Sequence, residues 1–133
     1  CIRDRFDTDA LTQVYVPPGW PSAVPPPGAD GWLHRAVAFL LDACPPEYRG
    51  YRVLRNHPVV LARLAHGHVE AQLAATRSQR ATVRTSLAGW VDARVAGEAV
   101  DVLQQEEARL LRLLRAVHLV EEALHDVRFV PKL

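Results

Sequence analysis

The sequence predicts an all-α domain: a long antiparallel helical hairpin packed with a shorter N-terminal helix and preceded by a proline-rich extended arm. Three observations lead to this prediction. Apolar residues recur at alternating spacings of three and four within residues 58–88 and 98–127, which is the period of one helix face. The short connection between these runs makes the two helices antiparallel neighbours. Six of the ten prolines precede residue 31, where they disfavour a helix.

The predicted arm covers residues 1–30 and has the proline density typical of polyproline backbone. Trp20 and Trp32 each follow a proline-glycine turn, in the segments PPGW and PPGADGW. We expect both indole rings to pack against the helical body, because packing removes their large apolar area from water. A docking motif for an aromatic groove of a partner is the alternative interpretation.

Residues 31–133 form the predicted helical domain. Its first helix is expected over residues 31–44, with Asp30 as N-cap and Pro45 just beyond its end. A connector with two inward-packed tyrosines follows it. Pro58 then suits the first turn of the first hairpin helix, where a missing backbone N–H costs nothing.

The predicted contact seam of the hairpin, similar to that of a coiled coil, is apolar with a few polar exceptions. The first helix contributes Val59, Ala62, His66, Val69, Leu73, Thr76, Arg80, Val83, Leu87 and Trp90, and the second contributes Val100, Leu103, Glu107, Leu110, Leu114, Val117, Glu121 and Leu124. Folding the chain near residues 93–95 brings Arg80 within a turn of Glu107 and His66 within a turn of Glu121. Such pairs fix the register of two helices, and a buried pair that loses one partner destabilises the fold strongly.

A transition-metal site is the second interpretation of these polar residues. The candidate ligands share one end of the hairpin and are His66, Glu70, His118, Glu121 and His125. Imidazole and carboxylate groups that converge from two helices can bind a divalent transition metal. Glu122 and His125 also have the Glu-x-x-His spacing of di-iron bundles, but the motif occurs once and Glu122 is expected to point away from the seam. A histidine–glutamate network that needs no cofactor is the alternative.

The charge balance gives no reason to expect a nucleic-acid or membrane-surface protein. Sixteen basic and fifteen acidic residues leave a net charge of +1, so no global field attracts a polyanion. Arg77, Arg80 and Arg84 follow a helical spacing, and Arg77 and Arg84 are candidate contacts for a phosphate or another anion. Nucleic-acid binding through arginine strips is therefore an alternative, although no helix-turn-helix signature or zinc-finger spacing accompanies it.

Cys1 and Cys44 are the only cysteines, too few for a disulfide framework or a four-cysteine zinc site. A reducing cytoplasm is the expected compartment, and the start at Cys1 leaves a lipoprotein as the alternative. No apolar run reaches the roughly 18 residues that suggest a membrane span. Cys44 is expected at a helix C-terminus, where the dipole disfavours a thiolate. Because the glycine-rich phosphate loop and the serine-hydrolase elbow are also absent, we expect no enzyme.

Three segments resemble uncharacterised small helical proteins of actinobacteria: PPGW at 17–20, PPEYRGYRVLRNHPVVLARLA at 45–65 and RFVPKL at 128–133. The resemblance covers most of the chain. It implies a cellular setting and carries no activity, substrate or binding residue.

The predicted function is a non-enzymatic interaction or regulatory module that acts through self-association, as in a homodimer, or through a protein partner. The second hairpin helix is apolar beyond the need of one neighbour. The residues that broaden its apolar surface are Leu111, Leu113, Leu119 and Val120. They leave room for the first helix and for another subunit.

Overall fold

A computed structural model of the chain describes residues 14–131 and confirms an all-α fold. Its helices are α1 (Trp32–Asp42), a 3-10 helix (Pro46–Gly50), α2 (Arg52–Asn56), α3 (Pro58–Ser86) and α4 (Ala93–Leu124). Helices α3 and α4 form the antiparallel hairpin, and α1 packs on α3. Within 14–131 there is no strand, and a single isolated bridge joins Ala88 to Val91 in the hairpin turn.

The hairpin turn is shorter than the sequence predicts, because α4 begins at Ala93 instead of residue 98. The carboxylate of Asp92 accepts a hydrogen bond from the Val95 backbone N–H at 2.9 Å and so caps the helix five residues earlier than predicted. Helix α4 runs through Gly97 without a break. Gly89 supplies the left-handed turn, with a φ of 85°.

The prediction that Asp30 caps the first helix is wrong. Gly31 is the N-cap of α1, with a φ of 75°, and no side chain accepts from the first turn. The Trp32 N–H instead donates to the Ala29 carbonyl at 3.1 Å. The turn before α1 therefore satisfies one of the backbone N–H groups that a helix leaves unpaired at its start. This turn requires a left-handed residue, and glycine adopts that conformation readily.

The described part of the arm, residues 14–30, is a succession of turns that lies against the helices. Trp20 is half-buried, and its indole Nε1 donates to the Val24 carbonyl at 2.7 Å. Val24 is buried in the core, and Trp32 packs against the same core. Both tryptophans therefore pack on the helical body as predicted. The arm expected over residues 1–13 lies outside the described residues.

The buried core occupies one half of the hairpin, where α1 and α2 cover it. Its fully or nearly fully buried members include Leu40, Leu54, Leu61, Ala65, Val69, Leu110, Val117 and Val120. Leu61 and Ala65 lie outside the predicted seam and are buried because α1 packs on that side of α3. Two apolar positions of the predicted seam, Val59 and Trp90, are exposed, since Val59 lies in the first turn of α3 and Trp90 lies beyond its end. In the connector, Tyr48 packs inward and Tyr51 is exposed.

Residues 74–108 form the distal half of the hairpin, which is only two helices thick. Its seam positions Val83, Leu87, Val100 and Leu103 are all half-buried rather than buried. No helix among the described residues covers them as α1 covers the other half. The apolar residues of the distal half thus stay partly in contact with water.

Candidate functional site

One group of metal-ligating side chains converges between α3 and α4. His66, His118 and Glu121 each offer a ligand atom, and these atoms all lie within 4.8 Å of one another. The imidazole rings of His66 and His118 are 5.9 Å apart between centroids. His118 and Glu121 are three residues apart and share a face of α4, while His66 comes from the facing side of α3. The structure thus brings three of the five candidate ligands together.

Glu121 is the buried member of this group, with 7% of its surface exposed. Among the described residues its salt-bridge partner is Arg63, whose Nε lies 3.5 Å from Oε2. Arg63 also places its Nη2 2.5 Å from Nδ1 of His66. Sequence reasoning missed Arg63, although its position three residues before His66 on one helix face was a signal.

Each histidine of the group has a second carboxylate neighbour one helical turn along. Nδ1 of His66 lies 3.2 Å from Oε1 of Glu70, and Nε2 of His118 contacts the carboxylate of Glu122. Glu122 was expected to point away from the seam. Its position four residues after His118 places the two side chains side by side. Each carboxylate thus contacts one ring nitrogen of its histidine, and the other nitrogen of each ring forms no salt bridge within residues 14–131.

His125, the fifth candidate ligand, lies outside the group. Helix α4 ends at Leu124, and His125 is its exposed C-cap residue. Its backbone N–H donates to the carbonyls of Glu121 and Glu122. His118 and His125 are seven residues apart, so about 10.5 Å of helix rise separates them, and a shared helix face does not bring both to one ion.

The second polar cluster of the hairpin joins Arg77 and Arg80 of α3 to Glu107 of α4. Oε2 of Glu107 accepts from Nε of Arg77 at 2.6 Å, and Oε1 accepts from Nη1 of Arg80 at 2.5 Å. The hydrogen bond from Arg77 lowers the pKa of Glu107 most; burial opposes this shift and the charges of both arginines add to it. Both arginine side chains are about half exposed, so the strong destabilisation expected for a buried pair does not apply.

The two candidate anion contacts differ in their surroundings. Arg77 is bound to Glu107, and this bond competes with any anion. Arg84 has no salt-bridge partner within residues 14–131, and its guanidinium lies over Gly97, 3.9 Å from the place that a Cβ would take. The sequence did not predict this packing of an arginine on a glycine across the hairpin.

A groove of about 380 Å³ runs along the distal half of the hairpin. It is lined by Gln79, Thr82, Val83, Ser86, Ala99, Val102 and Leu103, none of which carries a charge. Helical spacing places Gln79 and Ser86 on the other side of Val83 from Arg77 and Arg80. The hairpin therefore has a charged face and an uncharged groove on opposite sides of its seam.

Comparison of the chain with protein-family models, curated proteins and solved structures finds no match. Among residues 14–131, every helix is too short or too polar to cross a lipid bilayer. The function is therefore inferred from the groove, the histidine group and the paired arginines themselves.

Proposed function

We propose that the chain is a non-enzymatic interaction module in which the distal halves of two copies pair through their uncharged grooves. The observation behind this proposal is the groove between α3 and α4, whose seven lining residues carry no charge. The cores of protein interfaces are likewise depleted of charged residues, while their rims are polar.

The partly exposed seam of the distal half supports the same proposal. Four apolar residues of this seam are only half-buried, because two helices alone do not cover them: Val83, Leu87, Val100 and Leu103. A second hairpin placed on the groove completes a four-helix bundle, the arrangement in which amphipathic helices of this length commonly bury their apolar faces.

The groove continues a face that is already covered in the other half of the molecule. Leu61 and Ala65, both fully buried, lie about five helical turns before Gln79 and Val83 on the same side of α3. Helix α1 covers that side near Leu61 and does not extend to the groove. A helix from a second copy would therefore extend the same layer.

Shape and charge favour a second copy over a charged partner. A two-fold interface needs a patch that carries both a projection and a recess; Val102 projects with 63% of its surface exposed, beside the small side chains of Ser86 and Ala99. The distal half has four arginines and five acidic residues, a net charge of −1. Two copies therefore repel each other weakly, and a polyanion is not attracted.

The cytoplasmic setting and the absence of catalysis remain predictions alongside this proposal. Cys44 is a free, buried cysteine, and burial raises the pKa of its thiol more than the charge of Arg49 lowers it. A thiol in that state is a poor nucleophile. These observations support the expectation that Cys44 is a core residue without a chemical role.

Sedimentation velocity with two matched variants tests the proposal. Val102→Glu places a charge in the groove, and Val53→Glu places the same charge on α2, at a position that is 54% exposed. We expect the wild type and Val53→Glu to sediment as dimers and Val102→Glu as a monomer with an unchanged circular-dichroism spectrum. A monomeric wild type, or a Val102→Glu variant that dimerises as well as the wild type, would contradict pairing through the groove.

A further inference from the structure

We propose that His66, His118 and Glu121 bind a divalent transition-metal ion, and that the ion displaces Arg63 from the group. The group lies between α3 and α4 in the half of the hairpin covered by α1, away from the distal groove. The inference is therefore independent of self-association, and one chain supplies all the ligands.

The distances within the group are close to those of a metal site. In a tetrahedral zinc site with bonds of about 2.0–2.1 Å, neighbouring ligand atoms are roughly 3.4 Å apart. The three ligand atoms already lie within 4.8 Å of one another. His118 is exposed and His66 is half-buried, so small rotations of these side chains close the remaining distance without moving the helices.

The donor set selects the class of ion. Two imidazoles and one carboxylate suit zinc and its neighbours among the divalent transition metals, whereas magnesium and calcium prefer oxygen ligands. Three protein ligands leave a fourth position for water, and the exposed side of His118 leaves that position open to solvent.

The buried carboxylate of Glu121 needs a cation, because an unpaired charge is costly away from water. Arg63 meets this need from a distance: its Nε lies 3.5 Å from the carboxylate, and its side chain is 61% exposed. Because its side chain is mostly exposed, the guanidinium can give up its bond to His66 and withdraw into solvent when a metal ion takes its place beside Glu121.

The same exchange frees the ligand nitrogen of His66. While Arg63 donates to Nδ1 of His66, the ring of a neutral His66 carries its proton on Nε2. When Arg63 leaves, the neutral ring carries its proton on Nδ1, whose N–H donates a hydrogen bond to the Glu70 carboxylate at 3.2 Å, and Nε2 becomes a free ligand. Glu122 holds Nε2 of His118 in the same way, leaving Nδ1 for the metal. Carboxylates behind ligating histidines are the usual outer partners of such sites.

Calorimetric titration with zinc tests the proposal, with the absorption of bound cobalt as a second readout of coordination. The protein carries no histidine tag and has the Cys1→Ser change, so that the terminal thiol does not compete. We expect one zinc ion per chain. His118→Ala removes an exposed ligand without disturbing the core and should weaken binding beyond the roughly 10–100-fold that loss of an outer partner costs.

The matched control is His125→Ala, which removes an exposed histidine from the end of the same helix and should leave zinc binding unchanged. Arg63→Gln should bind zinc more tightly than the wild type, because the competing cation is gone. Absence of stoichiometric zinc in the wild type, equal losses in His118→Ala and His125→Ala, or weaker binding by Arg63→Gln would overturn the proposal. Zinc binding by Val102→Glu should equal that of the wild type, which separates this test from that of dimerisation.

Discussion

Arg80 of α3 lies against Glu107 of α4, with Nη1 2.5 Å from Oε1 of the carboxylate. Arg77, one turn earlier on α3, binds the other oxygen of the same carboxylate at 2.6 Å. A slip of one helical turn moves the helices about 5.4 Å past each other and breaks one or both bonds. The two ion pairs of Glu107 therefore favour one register of the hairpin, in the half that α1 does not cover.

The first prediction is that acid weakens the fold partly through Glu107. Its pKa in the folded state lies below the ordinary value of 4.5, so its contribution to stability is full above that value and is lost as the pH falls through the lowered pKa. Urea midpoints of the wild type should thus fall between about pH 5 and pH 3, and those of Glu107→Gln should fall less. Glu98→Gln, which removes an exposed partner of Arg94, is the control. If the urea midpoint of Glu107→Gln fell with pH as steeply as that of the wild type, Glu107 would not contribute to the loss of stability in acid.

The second prediction concerns two glycines that should respond in opposite directions to the same change. Gly67 lies in the middle of α3, and a Cβ built on it has no neighbour within 4 Å. Gly67→Ala should raise the free energy of unfolding by about 1 kcal/mol, since alanine favours a helix over glycine. Gly89 has a φ of 85°, so Gly89→Ala should lower it by about 1 kcal/mol. Thermal unfolding of both variants measures the direction of each change. If both variants became more stable, or both less stable, either the helical conformation of Gly67 or the left-handed turn at Gly89 would be contradicted.

The third prediction is that Cys44 reacts slowly with thiol reagents. It is 7% exposed, and burial holds the pKa of its thiol above the usual range. In a Cys1→Ser variant, where Cys44 is the only thiol, a colorimetric disulfide reagent at pH 8 should react much faster after unfolding in urea. Equal rates in the native and unfolded protein would show that Cys44 is accessible.

The fourth prediction is that Trp20 holds the proline-rich segment on the helices. Besides its bond to Val24, the ring packs edge-on against Phe129, with 6.0 Å between centroids. Trp20→Ala should destabilise by less than the roughly 3–5 kcal/mol of a fully buried aromatic, and it should speed proteolysis within residues 14–31. Trp90→Ala, which changes a side chain that is 84% exposed, should do neither. Unchanged cleavage of Trp20→Ala would mean that other contacts hold the segment.

Helical periodicity in the sequence was enough to predict the hairpin and the approach of Arg80 to Glu107, because opposite charges interrupted two apolar patterns at matching distances from the turn. Periodicity was not enough to place the caps. Asp30 and Asp92 are equally good N-caps by residue type, and the structure uses only Asp92. The turns that lead into each helix decide between them, and those turns depend on tertiary packing.

The histidine group shows a similar division. His66, His118 and Glu121 were predicted to converge because spacing fixes which helix face they share. Arg63 was missed because the reach of a long side chain depends on its rotamer, which spacing does not determine. His125 was misplaced because residues on one helix face can still be far apart along the axis: about 10.5 Å of helix rise separates His125 from His118.

The proposed function depends on pairing of two copies of the chain through the distal half of the hairpin. Sedimentation equilibrium of the untagged wild type over the micromolar concentration range tests it most directly, because it gives mass independently of shape. Pairing predicts a mass that rises with concentration towards twice the chain mass of 14.8 kDa and no further, since a two-fold interface is closed. A mass that stays at that of one chain over the whole range would contradict pairing.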